Sequence, residues 1–201
     1  IHNDNFEPLI NPFSAYEGKM MSDDSMFVGR SAQINQIISM ICTNDKEIIN
    51  YGRAIAMYGQ TRTGKSSLLY HLKKNLEKKY KNNIVIWDIG DIGELPASTE
   101  YLVSFLYTLL DVGKEAIYDD DELSEIIEDE DLIPPLKEIR KEPKFAVTIF
   151  NAYMKKLNTV LIRENKIIVL IVDEFTYLHG YIKEGKITPD FMKFWKAFLQ
   201  N

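Results

Sequence analysis

Nine consecutive residues, Gly59-Gln60-Thr61-Arg62-Thr63-Gly64-Lys65-Ser66-Ser67, have the types and spacing to hold phosphate. They fit the pattern G-x-x-x-x-G-K-[ST]. Glycines let the backbone curl until successive N–H groups converge on one anion. A helix that opens at the loop adds its N-terminal dipole. Lys65 supplies a mobile point charge for the β- and γ-phosphates, and Ser66 supplies a hydroxyl for Mg²⁺. Arg62, inside the loop, either contacts phosphate or only braces the backbone. A second group lies far along the chain, where six aliphatics, Ile167 to Val172, run into Asp173-Glu174. Carboxylates at the end of such a strand stand where open α/β sheets bind ligands. There Asp173 can hold Mg²⁺, directly or through water, and Glu174 can polarise an attacking water.

The elements that must position these residues can be read from the hydrophobic pattern. Ala54-Ile55-Ala56-Met57-Tyr58 leads into the loop and is expected as a strand. Leu68, Leu69, Leu72 and Leu76 lead out of it at helical spacing. Strand, glycine loop and helix together are the context such a motif needs. Upstream, a helix is expected from Ser31, with Ile34, Ile37, Ile38 and Ile41 on one face. Downstream, Ile84 to Trp87 reads as a strand ending at Asp88. Helices are expected near 99–110 and 145–163. The unbroken aliphatics of 167–172 suggest a strand buried on both faces, as in a parallel sheet. Gly180–Lys186 reads as a polar loop. Thr188-Pro189 opens a last helix, whose Phe191, Phe194, Trp195 and Phe198 form an aromatic stripe expected to pack in a core or interface.

Composition narrows the classes. A chain of 201 residues with 45% apolar content builds one domain with a sizeable core. No apolar run reaches the ~18–20 residues of a membrane helix. One cysteine, Cys42, gives neither a disulfide framework nor a cysteine metal cluster, and it is expected as a small buried residue. A cytoplasmic setting is expected. The net charge of −6 is uneven, because Asp119–Asp131 carries nine acidic residues and no basic one. The remainder is at +3 (−6 less the run's −9), with no basic tract that would mark a nucleic-acid surface. Residues 112–143 therefore read as an acidic insertion or mobile connection, and residues 1–26, polar and broken by Pro8 and Pro12, as an N-terminal extension.

Phe27-Val28-Gly29-Arg30, a helix, the glycine loop and the six-aliphatic strand into Asp-Glu-Phe together resemble the STAND and AAA+ ATPases, most closely the archaeal-type and bacterial STAND NTPases. In those terms the loop is a Walker A motif and Asp173-Glu174 a Walker B motif. The resemblance implies a P-loop NTPase domain over 27–201, a three-layer α/β/α fold around a mainly parallel sheet. It implies ATP and Mg²⁺, with Phe27, Val28, Gly29 and Arg30 on the base or ribose side. It implies slow hydrolysis in a nucleotide-controlled signalling switch, acting through self-association or through other domains of a larger protein, in some relatives in antiviral defence. The alternatives are an ATP-binding scaffold that does not hydrolyse, and a DNA-loading ATPase, which the acidic balance disfavours. The resemblance also calls for a strand between the two Walker strands, a fifth strand and a helical lid. None is visible in the sequence, so the sheet is expected to be incomplete here and the chain to be part of something longer.

Overall fold

The computed structural model describes residues 29–42, 53–60, 63–95 and 100–199. Its elements run α1 (Ser31–Ile41), α2 (Lys65–Tyr80), β1 (Ile84–Asp91), α3 (Tyr101–Tyr118), α4 (Asp121–Asp129), α5 (Leu136–Lys141), α6 (Ala146–Arg163), β2 (Ile167–Asp173), α7 (Tyr177–Lys183) and α8 (Asp190–Phe198). Among the described residues β1 and β2 form a two-stranded parallel sheet, in register from Ile84 opposite Ile167 to Asp88 opposite Ile171. Parallel neighbours need a long crossover. Here it contains α3 to α6.

Strand side chains alternate between faces, and the two faces meet different helices. Ile84, Ile86, Ile167 and Val169 pack with Ile34 and Ile38 of α1 and with Leu68, Leu72 and Leu76 of α2. Val85, Trp87, Ile168, Leu170 and Val172 pack on the opposite side into a larger core. That core takes Phe105, Leu106 and Leu109 from α3, Phe150 and Leu157 from α6, and Phe191 and Phe194 from α8. The aromatic stripe of α8 is core, as expected. Phe191 meets Tyr101 and Phe105 edge-on, at ring-centroid distances of 5.3 and 5.1 Å. The protein is thus a mixed α/β structure with helices on both faces of a small parallel sheet. Cys42 is buried, as its composition suggested, and burial pushes its thiol pKa up, away from reactivity.

Four expectations change. Residues 112–143, expected as an acidic insertion or mobile connection, are largely helical: they complete α3 and form α4 and α5. Leu123, Ile127, Leu132 and Ile139 are buried in the larger core, so an apolar stripe at helical spacing lies inside the acidic run. The acids have places of their own. Asp120 caps α4 by accepting from the Leu123 N–H at 3.1 Å, and it pairs with the buried Lys166 at 2.5 Å. Second, residues 53–60 form no strand. A strand exists by pairing, and this segment has no ladder partner among the described residues; Tyr58 is 93% exposed. Third, β2 is covered by helices on both faces, as expected, but less deeply than a central strand: Ile171 is buried and its other residues are half-buried, because only β1 flanks β2 among the described residues. Fourth, helix α7 occupies much of the expected polar loop at 180–186, and α8 begins at Asp190 with Pro189, not Thr188, ahead of it.

Candidate functional site

The two motifs meet. Helix α2 starts at Lys65, and its first intrahelical bond runs from the Leu68 N–H to the Gly64 carbonyl at 3.0 Å. The N–H groups of Lys65 and Ser66 therefore have no acceptor within the helix, which is the usual condition of a helix N-terminus. Gly64 precedes them at φ +79°, a left-handed conformation that glycine adopts without strain. The loop also closes on itself. Thr63 Oγ1 donates to the Gln60 carbonyl at 2.7 Å. Lys65 Nζ donates to the carbonyls of Gly59 at 3.3 Å and Gln60 at 3.1 Å. Those acceptors are neutral. A phosphate oxygen is charged and makes the stronger bond to an ammonium, so the lysine is held where an anion can take it over.

From the other motif, Asp173 closes β2. Its Oδ2 accepts the Ser66 hydroxyl at 2.6 Å, across 107 residues of sequence. Its Oδ1 accepts the Glu174 N–H at 2.8 Å. Glu174 lies half-buried at φ +53°. For a residue with a Cβ that conformation costs about 1–2 kcal/mol, and such strain gathers at functional sites. A second tie fixes α2 against the sheet. Lys73, seven residues beyond Ser66 and so on the same helix face, pairs with Asp88 of β1 at 3.0 Å. Ser66 is thereby docked on β2 and Lys73 on β1.

These groups suit Mg²⁺. Its oxygen ligands stand about 2.0–2.1 Å from the ion in an octahedron, so adjacent corners are ~2.9 Å apart. A hydroxyl and a carboxylate oxygen at 2.6 Å need to part only slightly to occupy two such corners. Among the described residues no three His, Cys, Asp or Glu side chains converge as a metal cage.

Of the other expected site residues, Gly29 has φ +86° and precedes Arg30, whose guanidinium Nη2 donates to the Thr63 carbonyl. Gly59 is close-packed: a Cβ there would lie 2.9 Å from Thr63 Oγ1. Ser67 sits half-buried in the first turn of α2. Phe27, Val28, Thr61, Arg62 and the extension at 1–26 lie outside the described residues.

Sequence reasoning missed two features. The expected strand ended at Asp88, but β1 continues through an irregularity to Asp91, which stands beside Asp173 in the ladder. Gly90, at φ +63°, was the available signal. Asp91 caps the turn that follows, accepting from the Gly93 N–H at 2.7 Å. That turn is gripped from two sides, since Tyr101 of α3 donates to the Ile92 carbonyl at 2.8 Å and Tyr181 of α7 to the Gly93 carbonyl at 3.2 Å. Compared with family models, with curated proteins and with solved structures, the chain matches none.

Proposed function

We propose that the chain is a P-loop ATPase of STAND or AAA+ type, which binds ATP with Mg²⁺ and hydrolyses it slowly as a nucleotide-controlled switch. The observation that carries this reading is the 2.6 Å hydrogen bond from Ser66 to Asp173. Two motifs read independently from distant stretches of sequence have their metal-binding groups side by side.

In this reading the loop N–H groups and the α2 N-terminus bind the phosphates. Lys65 gives up the Gly59 and Gln60 carbonyls for the β- and γ-phosphate oxygens. Ser66 and Asp173 hold Mg²⁺, which when bound neutralises charge developing on those oxygens. Glu174 orients a water in line with the γ-phosphorus and accepts its proton as the water attacks, while the bond from the γ-phosphorus to the bridging oxygen breaks and ADP leaves. A switch needs an outlet for the change at Glu174. Helix α7 begins three residues later, and through Tyr181 it grips the turn after β1. Charge that appears or leaves at Glu174 therefore acts on an element that already bridges both strand ends.

Phosphate release by Glu174→Gln tests the chemistry. The variant should bind ATP as the wild type does and lose 10²-fold or more of the release rate, a typical general-base contribution. Wild-type protein that binds ATP and releases no phosphate, alone or self-associated, would leave a scaffold in place of an enzyme.

A further inference from the structure

We propose that Arg30 is a positioning residue of the phosphate loop and not a contact to base or ribose; the inference rests on the ATP-binding reading above. Arg30 immediately precedes α1, and its carbonyl accepts the Ile34 N–H at 3.1 Å. Ile34 and Ile38 seat α1 in the same cluster as Leu68 and Leu72 of α2. The guanidinium thus reaches from one anchored helix to the loop at the head of the other.

Its target decides its role. Nη2 donates to the Thr63 carbonyl, and this carbonyl shares a peptide unit with the Gly64 N–H. A peptide unit is planar and trans, so fixing the C=O fixes the N–H in the opposite sense. Arg30 therefore sets the direction of one N–H in the loop, at the residue just before Lys65. The same guanidinium flanks Gly64, with Nη2 3.7 Å from where a Cβ would stand. The rigid planar fork of arginine suits a directional task of this kind, where a lysine would supply only a point charge.

Binding calorimetry on wild type, Arg30→Ala and Arg30→Lys separates the two roles, using ATP, GTP and inorganic tripolyphosphate, each with Mg²⁺. A residue acting through the loop affects every ligand that carries the phosphates. Arg30→Ala should weaken ATP and tripolyphosphate by the same factor, about tenfold, the size expected for one charge-assisted hydrogen bond. It should leave the ATP-to-GTP ratio unchanged, and Arg30→Lys should recover part of the loss. Melting curves without ligand report folding, and Arg30→Gln carries the same comparison if the alanine variant does not fold. A variant that loses ATP affinity but binds tripolyphosphate as wild type does would overturn the inference, as would one unchanged toward both. Wild type that binds neither ATP nor tripolyphosphate would instead remove the ATP-binding reading itself.

Discussion

Gly64 and Glu174 bracket the site with two left-handed backbones, one unstrained and one strained. Gly64→Ala places a Cβ 3.7 Å from the Arg30 guanidinium, which is ordinary contact, so its cost comes from φ and not from a clash. A loss of about 1 kcal/mol in stability is expected, read from denaturant melts, together with a weaker grip on nucleotide. Asp173 uses both oxygens, on the Ser66 hydroxyl and the Glu174 N–H. Asp173→Asn keeps the shape and removes the charge. ATP affinity measured across a Mg²⁺ titration should then lose most of its metal dependence; an unchanged dependence would take Asp173 out of the proposed metal site. Both motifs were legible in the sequence because phosphate and metal chemistry admit few residue types. The contact of Arg30 with Thr63 was not, because it joins residues 33 apart through a side chain whose direction only packing decides.

Among the elements, α3 and β1 are close-packed at Gly113, where an added Cβ would come within 2.5 Å of the Trp87 ring. Two effects oppose each other in Gly113→Ala. Helix propensity favours alanine by ~1 kcal/mol, while overpacking a fixed ring costs about 1–3 kcal/mol. With Trp87 itself buried against the core, overpacking should win and the melting temperature should fall. Two buried tyrosines differ in an informative way. The Tyr101 hydroxyl donates to the Ile92 carbonyl, whereas the buried Tyr153 hydroxyl has no partner among the described residues. Tyr153→Phe should be neutral or stabilising, and Tyr101→Phe should cost about 1 kcal/mol by equilibrium unfolding. Burial pushes both hydroxyl pKa values up. A group whose folded pKa exceeds its unfolded value leaves stability intact below the unfolded pKa and withdraws it as pH climbs toward the folded one. Stability should therefore fall above about pH 10, and less steeply in Tyr153→Phe. The strands at 84 and 167 and the helices at 31, 65 and 146 were legible from their apolar periods. The helix in the acidic run was not, because nine carboxylates mask a stripe of only Leu123, Ile126 and Ile127.

For the whole molecule, the sheet organises two unequal cores, and α2 is the part that ties the site to both strands. Ala54–Tyr58 forms no strand among the described residues for a reason of scale. Its apolar pattern is local, but a strand forms only against a neighbour, and sequence does not say whether one is present. The order of the helices and their division between the faces followed from the parallel pairing of β1 with β2, a contact between residues 83 apart. The central claim is that Gly59–Ser67 binds the phosphates of ATP, and ligand-induced stabilisation reads it without assuming turnover. Binding to the native state raises the melting temperature as ligand exceeds its dissociation constant, by about 2.7 kcal/mol of stability at a hundredfold excess. Thermal melts of wild type and Lys65→Ala, with and without Mg²⁺ and ATP, make the decisive comparison. Wild type should be stabilised by ATP with Mg²⁺, and Lys65→Ala should melt at its own ligand-free temperature. Equal stabilisation of both proteins, or none of the wild type at millimolar ATP, would contradict the account.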